Sequence, residues 1–436
     1  MTSNWTELTI NDVCSVTDCQ HKTAPTLDNN TEYRMLRTAN IRNGQLRDVD
    51  ETKSVTKEIY DQWSVRGYLT PGDVILTREA PMGEVALLTE NEKYKYFLGQ
   101  RMLQLKAFTE VITPEFLYYS LQTKGLQHQI MMNEGTGSVV SNIRIPLLKK
   151  MKLFVPTLCE QKKIIKVLID IDNKMLLNKR IIVNLEQLSQ TLFKHWFIDF
   201  EFPNEEGKPY KSSGGEMVES ELGYIPEKWE NKSLGNYIKL EKGLSYKGDY
   251  LDKNRENKNS IPLITIANFN FQSGFKDLKT KYYFGDYKEK HLLKEKDIII
   301  AATDLTQDRK MLGAPAIVPN LNKIMIYSLD VFKISSMALP KYYLYFSLQT
   351  YRYRRLVGSS ATGTTVLRIS KAFLEAYKIS LPNNLLLLEL FNSKVEPMIE
   401  KILEIEKENK KLSKLRDTLL PKLLSGEIEI PDDLEV

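Results

Sequence analysis

Apolar positions recur at alternating steps of four and three along two stretches of the chain. In residues 160–196 they fall at Ile164, Leu168, Ile171, Met175, Asn178, Ile182 and Leu185, and in residues 398–424 at Met398, Ile402, Ile405, Asn409 and Leu412. This heptad spacing predicts two long helices, each with one inward seam. A helix cannot bury its own seam, and the simplest partner for either is the other, packed antiparallel as a coiled coil. Each seam carries one asparagine, Asn178 or Asn409, a polar residue that can fix register at some cost in stability. Periodicity by itself also allows two ordinary core helices.

The remaining segments show mixed patterning. Short β-rich runs such as Asp297 to Ala301 and Lys323 to Ile334 alternate with loops, and an amphipathic helix follows Pro114 and again Pro340, with proline in the first turn. The chain therefore reads as a globular domain over 1–156, a long helix over 157–200 and a linker rich in Gly, Ser, Lys and Glu over 201–223. A second globular domain follows over 224–382, then a C-terminal long-helix region over 383–436. Thr157 and Glu160 supply a capping box for the first long helix. Asn383 can cap the second, Pro397 is expected to start a new helix or kink the run, and Ser425-Gly426 stops it.

The pattern is written twice. Trp5 and Ile10 are answered by Trp229 and Leu234, Ala39-Asn40 by Ala267-Asn268, and Asp73-Val74-Ile75-Leu76 by Asp297-Ile298-Ile299-Ile300. Ser120-Leu121-Gln122-Thr123 returns unchanged as Ser347-Leu348-Gln349-Thr350, Thr136-Gly137 as Thr362-Gly363, and Val155-Pro156 as Leu381-Pro382. Leu185, Leu188, Thr191 and Leu192 align with Leu412, Leu415, Thr418 and Leu419. The offset stays between 224 and 228 throughout. The fold is thus expected to be α+β, a tandem repeat of one globular domain and one long helix, related by a pseudo-two-fold axis if the helices run antiparallel.

At 436 residues the chain is too long for a single core. No apolar run approaches the roughly 20 residues needed to cross a bilayer, and the amino terminus lacks the regions of a signal peptide, so a cytoplasmic location is expected. Three cysteines, an odd number, fit a reducing compartment. Cys14, Cys19 and His21 lie close together but lack a fourth ligand, and no metal is expected there.

Charge separates the two domains. Residues 1–156 carry 18 Lys and Arg against 18 Asp and Glu, whereas residues 226–382 carry 26 against 15, a net +11. With Arg352, Arg354 and Arg355 interleaved with Tyr351 and Tyr353, the second domain has the composition of a polyanion-binding surface. Catalytic patterns are missing: there is no phosphate-binding loop and no Asn/Asp-Pro-Pro-aromatic motif, and His21, His128, His195 and His291 have no companions at metal spacing. The chain is expected to bind and not to react.

Several motifs together resemble the specificity subunit of type I restriction-modification systems. They are Gly223-Tyr224-Ile225-Pro226-Glu227-Lys228-Trp229, the loop Ala361-Thr362-Gly363-Thr364-Thr365, Glu160-Gln161 at a helix entry, and Leu415-Arg416-Asp417-Thr418-Leu419-Leu420-Pro421-Lys422-Leu423-Leu424-Ser425-Gly426. The resemblance implies two target recognition domains, separated by two long helices, that read a bipartite asymmetric sequence in double-stranded DNA. It further implies two methyltransferase subunits that bind S-adenosylmethionine, and a restriction/translocase subunit; no cofactor is implied for this chain. In the first copy Lys194-His195-Trp196-Phe197 stands where the second has Pro421-Lys422-Leu423-Leu424, and the second helix entry lacks the Glu-Gln pair.

Base contacts call for Arg, Asn or Gln presented from loops, with Lys and hydroxyls on phosphates. In the first domain the candidates are Arg37, Asn40 and Arg42, then Arg78, then Thr136, Ser138, Ser141 and Arg144. By repeat position, the second offers Asn268, Asn270 and Gln272, then Gln307, Arg309 and Lys310, then Thr362, Thr364, Thr365 and Arg368. Two rival readings remain beside DNA recognition: a coiled-coil scaffold that bridges proteins without touching nucleic acid, and an enzyme with an unrecognised site.

Overall fold

The structure, a computed structural model, describes residues 5–431 except 91, 133–141, 272, 278–279, 307 and 322. It divides into unit 1, residues 1–177 with 409–436, and unit 2, residues 178–408. Each unit thus holds one head and a segment of both long helices, Leu158–Phe197 and Leu386–Leu423. Among the described residues no helix is long and apolar enough to cross a membrane.

In unit 1, Thr6–Thr9 pairs antiparallel with Lys152–Val155, closing the head's two ends on each other. A four-stranded antiparallel sheet runs in the order Cys14–Asp18, Met102–Ala107, Val74–Thr77, Val85–Leu87. Val74–Thr77 is buried along its whole length, as a continuous apolar run in an inner strand should be. A smaller sheet orders Lys53–Ser54, Tyr33–Leu36 and Lys95–Leu98, the last two parallel. The helix Pro114–Leu121 is capped by the Thr113 hydroxyl and buries Phe116 and Leu117 in the core. Ile164, Ile165, Leu168, Leu423 and Leu424 of the long helices join that same core.

Unit 2 repeats this plan. Trp229–Ser233 pairs with Lys378–Pro382, and the larger sheet runs Ile238–Lys242, Val331–Met337, Ile298–Ala301, Pro315–Ile317. The smaller sheet orders Lys281–Tyr283, Ile261–Ile264, Met325–Tyr327 and Leu292–Leu293, again with a central parallel pair. The duplicated sequence is therefore a duplicated topology. Within this unit the helix segments run antiparallel, since Asn178 donates to Glu408 at 2.8 Å and Ser189 to the Met398 sulfur at 3.4 Å. Every seam residue of both helices is buried or half-buried. Asn178 is 1 % exposed, and its amide is satisfied by the Glu408 carboxylate.

The second long helix corrects the reading of its start. It begins at Leu386 and continues through Pro397 as one helix, so of the two outcomes expected there, a new helix or a kink, the new helix does not form. Leu388, Phe391 and Val395 already bury their side chains in the unit 2 core. Packing that apolar stripe outweighs the one hydrogen bond that proline forfeits. Asn384, not Asn383, caps it by accepting the Leu386 N–H at 3.0 Å. The capping box at the first helix is redirected as well: Thr157 receives the Glu160 N–H, but the Glu160 carboxylate accepts the Trp5 indole N–H at 3.1 Å. Residues 201–223, expected as a linker, are folded onto unit 2. Phe202 stacks on Trp229 and Tyr210, and Met217–Ser220 forms a hairpin with Gly223–Pro226.

Candidate nucleic-acid interface

Backbone pairing gathers the candidate loops at the same place in each head. In unit 1 the Ile143 N–H donates to the Arg78 carbonyl at 3.2 Å; in unit 2 the Ile369 N–H donates to the Ala302 carbonyl at 3.0 Å. The turn after the small parallel strand joins this cluster in unit 1, where the Thr38 hydroxyl donates to Ala80 O at 3.1 Å and the Asn43 N–H to Glu84 at 2.8 Å. Segments 37–43, 78–84 and 142–144 thereby form one end of the first head. In unit 2, Thr303–Asp304 pairs with Leu367–Arg368, and the Gly274 N–H donates instead to Pro315 O at 2.9 Å.

Not every candidate faces water. Asn40 and Asn268, expected as base readers, are buried instead and hold their own turns. Asn40 accepts the Arg37 N–H at 3.0 Å and donates to Arg47 O at 3.2 Å. Asn268 accepts the Thr265 N–H at 3.0 Å and donates to the Thr280 hydroxyl at 2.7 Å. The paired Ala-Asn motif is thus a fold signature, because a buried amide must be satisfied. Arg78 is likewise committed: its guanidinium bonds Asp18 at 2.9 and 3.2 Å, Asn142 at 2.7 Å and Ile143 O at 2.9 Å. It is the clamp between loops, with its Nε and Nη1 donors engaged inside the head.

The exposed candidates are Arg37 and Arg144 in the first head, with Arg42 half-buried and donating to the neighbouring Ile41 O at 3.1 Å. In the second head Asn270, Arg309, Lys310, Thr362, Thr364, Thr365 and Arg368 are exposed. Thr136, Ser138, Ser141, Gln272 and Gln307 lie outside the described residues. Buried Asp304 shapes the loop that carries Arg309 and Lys310, accepting the N–H groups of Thr306, Met311 and Leu312 at 2.7, 2.8 and 3.2 Å. Arg354 holds the same loop from the helix Tyr351–Ser359, donating to Leu312 O and Lys310 O at 2.6 Å each. Burial pulls its guanidinium below the ordinary arginine value. Tyr353 is fully buried with its hydroxyl on Gly313 O at 3.0 Å. Two members of the Arg-Tyr run that read as a polyanion surface, Tyr353 and Arg354, therefore brace the loop from beneath, and Tyr351, Arg352 and Arg355 remain its outward members.

Arg101 was missed by sequence reasoning. It lies at the same end of the first head, receives the Arg78 N–H on its carbonyl at 2.8 Å and pairs with Glu79 at 3.1 Å. No repeat partner marked it, so only the tertiary arrangement brings it forward. Asp18, Cys19 and His21 place ligand atoms within 4.8 Å of one another, with the Asp18 carboxylate already engaged by Arg78.

The family described as type I restriction modification DNA specificity domain matches residues 2–187 and 226–384, well over half of the chain. The chain belongs to this family. The two matched segments each contain one head and, in the first, part of the long helix. Among relatives, the MjaIX specificity subunit of Methanocaldococcus jannaschii is 28% identical over 391 residues, covering 87% of this chain and 83% of the relative. The HindI specificity subunit of Haemophilus influenzae is 24% identical over 415 residues, covering 82% and 86%. The crystal structure of a type I S subunit from M. genitalium shares the fold, with a TM-score of 0.58 at 16% identity over 97% of each chain. As a member of the specificity family, the chain is a DNA sequence-recognition subunit, and the family is in general non-catalytic. A scaffold that never meets DNA is not favoured by this membership.

Proposed function

We propose that each head reads one half of a bipartite, asymmetric duplex sequence, while the long helices set the spacing and carry the partner subunits. The observation that carries this reading is the repeated tertiary bond, Ile143 to Arg78 and Ile369 to Ala302, which presents equivalent loops from two heads of unlike sequence. Equivalent loops with different side chains suit two different half-sites. Arg37, Arg42 and Arg144 would serve the first; Asn270, Arg309, Lys310, Thr362, Thr364, Thr365 and Arg368 would serve the second. The net +11 of the second head against the neutral first supports a larger share of phosphate attraction there.

Methyl transfer belongs in this reading to two methyltransferase subunits that bind S-adenosylmethionine, and cleavage to restriction/translocase subunits, all in the cytoplasm. The long helices leave apolar side chains exposed on which such partners can dock: Leu176, Leu177 and Leu415 in unit 1, Val183 and Leu188 in unit 2. Co-expression of the chain with its methyltransferase partner, followed by mapping of methylated adenines across host DNA, tests the proposal. One asymmetric motif with a fixed gap is expected. Methylation at a short uninterrupted motif, or none that depends on this chain, would overturn it.

A further inference from the structure

On the small sheet of each head, tyrosine rings carry cations; in the second head Lys333 on the Tyr327 ring is paired with Glu241 at 3.8 Å, but the two cations on the edge-strand ring of Tyr282 are not neutralised in this way among the described residues. In unit 1, Arg34 and Lys93 lie 4.4 and 5.2 Å from the Tyr94 ring, and Lys95 lies 5.4 Å from Tyr33. Carboxylates close the charge there: Asp50 accepts from Lys93 at 2.6 Å and from the Tyr94 hydroxyl at 2.7 Å, and Glu32 pairs with Lys95 at 3.0 Å. On the corresponding sheet of unit 2, Arg255 and Lys323 lie 4.5 and 5.3 Å from one ring, that of Tyr282 in the edge strand Lys281–Tyr283. Both side chains are exposed, and neither forms an ion pair among the described residues.

The backbone is arranged to hold one of them. Arg255 has φ +56°, a left-handed conformation that a long side chain adopts only when the surroundings impose it. Asp252 imposes it, receiving the N–H groups of Glu256 and Asn257 at 3.1 and 3.0 Å and so fixing the turn around Arg255. A fixed guanidinium and an ammonium on one aromatic ring make a pre-organised pair of positive charges, and the ring's π face lowers the cost of holding them together. Two neighbouring anions can each take one of these cations. Duplex DNA presents a row of such anions.

We propose that Arg255 and Lys323, seated on Tyr282, form a phosphate clamp that grips the DNA backbone at the second head, and that the first head has no working counterpart because Asp50 and Glu32 cancel its cations. The clamp rests on the DNA-recognition reading and adds an asymmetry to it: the second head supplies sequence-independent grip as well as base contacts. A clamp of this kind changes affinity and its salt dependence, and leaves the sequence that is read unchanged.

The test uses the full chain in complex with its methyltransferase partner on a cognate duplex, with affinity measured across a salt series. Arg255→Ala with Lys323→Ala is expected to flatten the slope of log affinity against log salt by roughly 1.8, about 0.9 for each phosphate that is no longer neutralised. The methylated motif stays the same, Arg255→Lys with Lys323→Arg keeps the wild-type slope, and Lys93→Ala in the first head leaves it unchanged. A wild-type slope in the double Ala variant overturns the clamp while the recognition reading stands. An unchanged slope with loss of the methyltransferase partner overturns it in favour of an acidic protein surface. Failure of the wild-type complex to bind any duplex overturns the recognition reading, and the clamp with it.

Discussion

The guanidinium of Arg416 reaches the carboxylate of Asp172 at 3.1 Å, joining the second long helix to the first within unit 1. The same carboxylate accepts the Tyr119 hydroxyl at 2.8 Å, so one acid ties both helix segments to the head. At the equivalent places of the repeat, unit 2 has Phe346, Ile399 and Ser189, and Phe346 packs on Phe193 and Phe391. One copy fastens its helices with a polar triad and the other with aromatic packing.

Removing one member of a part-buried pair strands the other. Asp172→Ala is expected to lower stability by about 1–3 kcal/mol, because the Tyr119 hydroxyl loses its acceptor and Arg416 keeps only its exposed partner Asp417. Denaturant unfolding of the full chain measures it. Asp172→Ala with Arg416→Ala should cost less than the two single changes added together.

The buried Asn268 predicts a contrast with its exposed neighbour. Asn268→Ala leaves the Thr265 N–H and the Thr280 hydroxyl without their amide partner and should cost about 1–3 kcal/mol. Asn270→Ala should change stability by less than about 0.5 kcal/mol. If Asn270 reads a base, that variant alters methylation at one half-site, which quantitative methylation mapping would register.

Arg354 braces the loop that carries Arg309 and Lys310, so its effect on DNA recognition is expected to run through that loop. Arg354→Ala frees Leu312 O and Lys310 O and is expected to reduce methylation of the second half-site along with thermal stability. Arg309→Ala and Arg368→Ala should reduce methylation there by tenfold or so, equivalent to about 1.4 kcal/mol, with unfolding midpoints unchanged. Equal stability losses in all three would place Arg309 and Arg368 among the structural residues.

Glu406 and Glu186 line a crevice with Tyr345, Phe346, Ile399 and Ile402 in unit 2, keeping an edge to water. Burial, and then the Glu186 charge, pushes the Glu406 carboxyl from 4.5 up to about 7. A carboxyl raised by folding stabilises the fold fully below its unfolded value and loses that contribution as pH rises through the folded one. Glu406→Gln is therefore expected to raise the melting temperature at pH 8 relative to wild type, with the difference closing toward pH 5. Parallel thermal melts across that range check the sign.

Much of this molecule was legible in one dimension. The duplication, the helix seams and the shared strand after Asp73 and Asp297 all appear as residue identity at a nearly constant offset, because a copied topology needs apolar side chains at the same intervals. Pro397 misled for the same reason. Its local preference is written in the sequence, whereas the burial of Leu388, Phe391 and Val395 that overrides it depends on a core assembled from distant segments.

The candidate interface divides along the same line. Sequence alone determined which loops are repeated between the two heads, because the duplication is written as residue identity at a nearly constant offset. It could not tell the polar residues that face a ligand from those that face the protein. Asn40, Asn268, Arg78 and Arg354 have the chemistry of base readers, but each bonds groups of the protein itself, the two asparagines within their own turns and the two arginines in segments more than 40 residues away. Burial decides between the two roles, and burial is a property of the packed structure: a polar group withdrawn from water must find its partners within the fold, and only one left at the surface has hydrogen bonds to offer DNA.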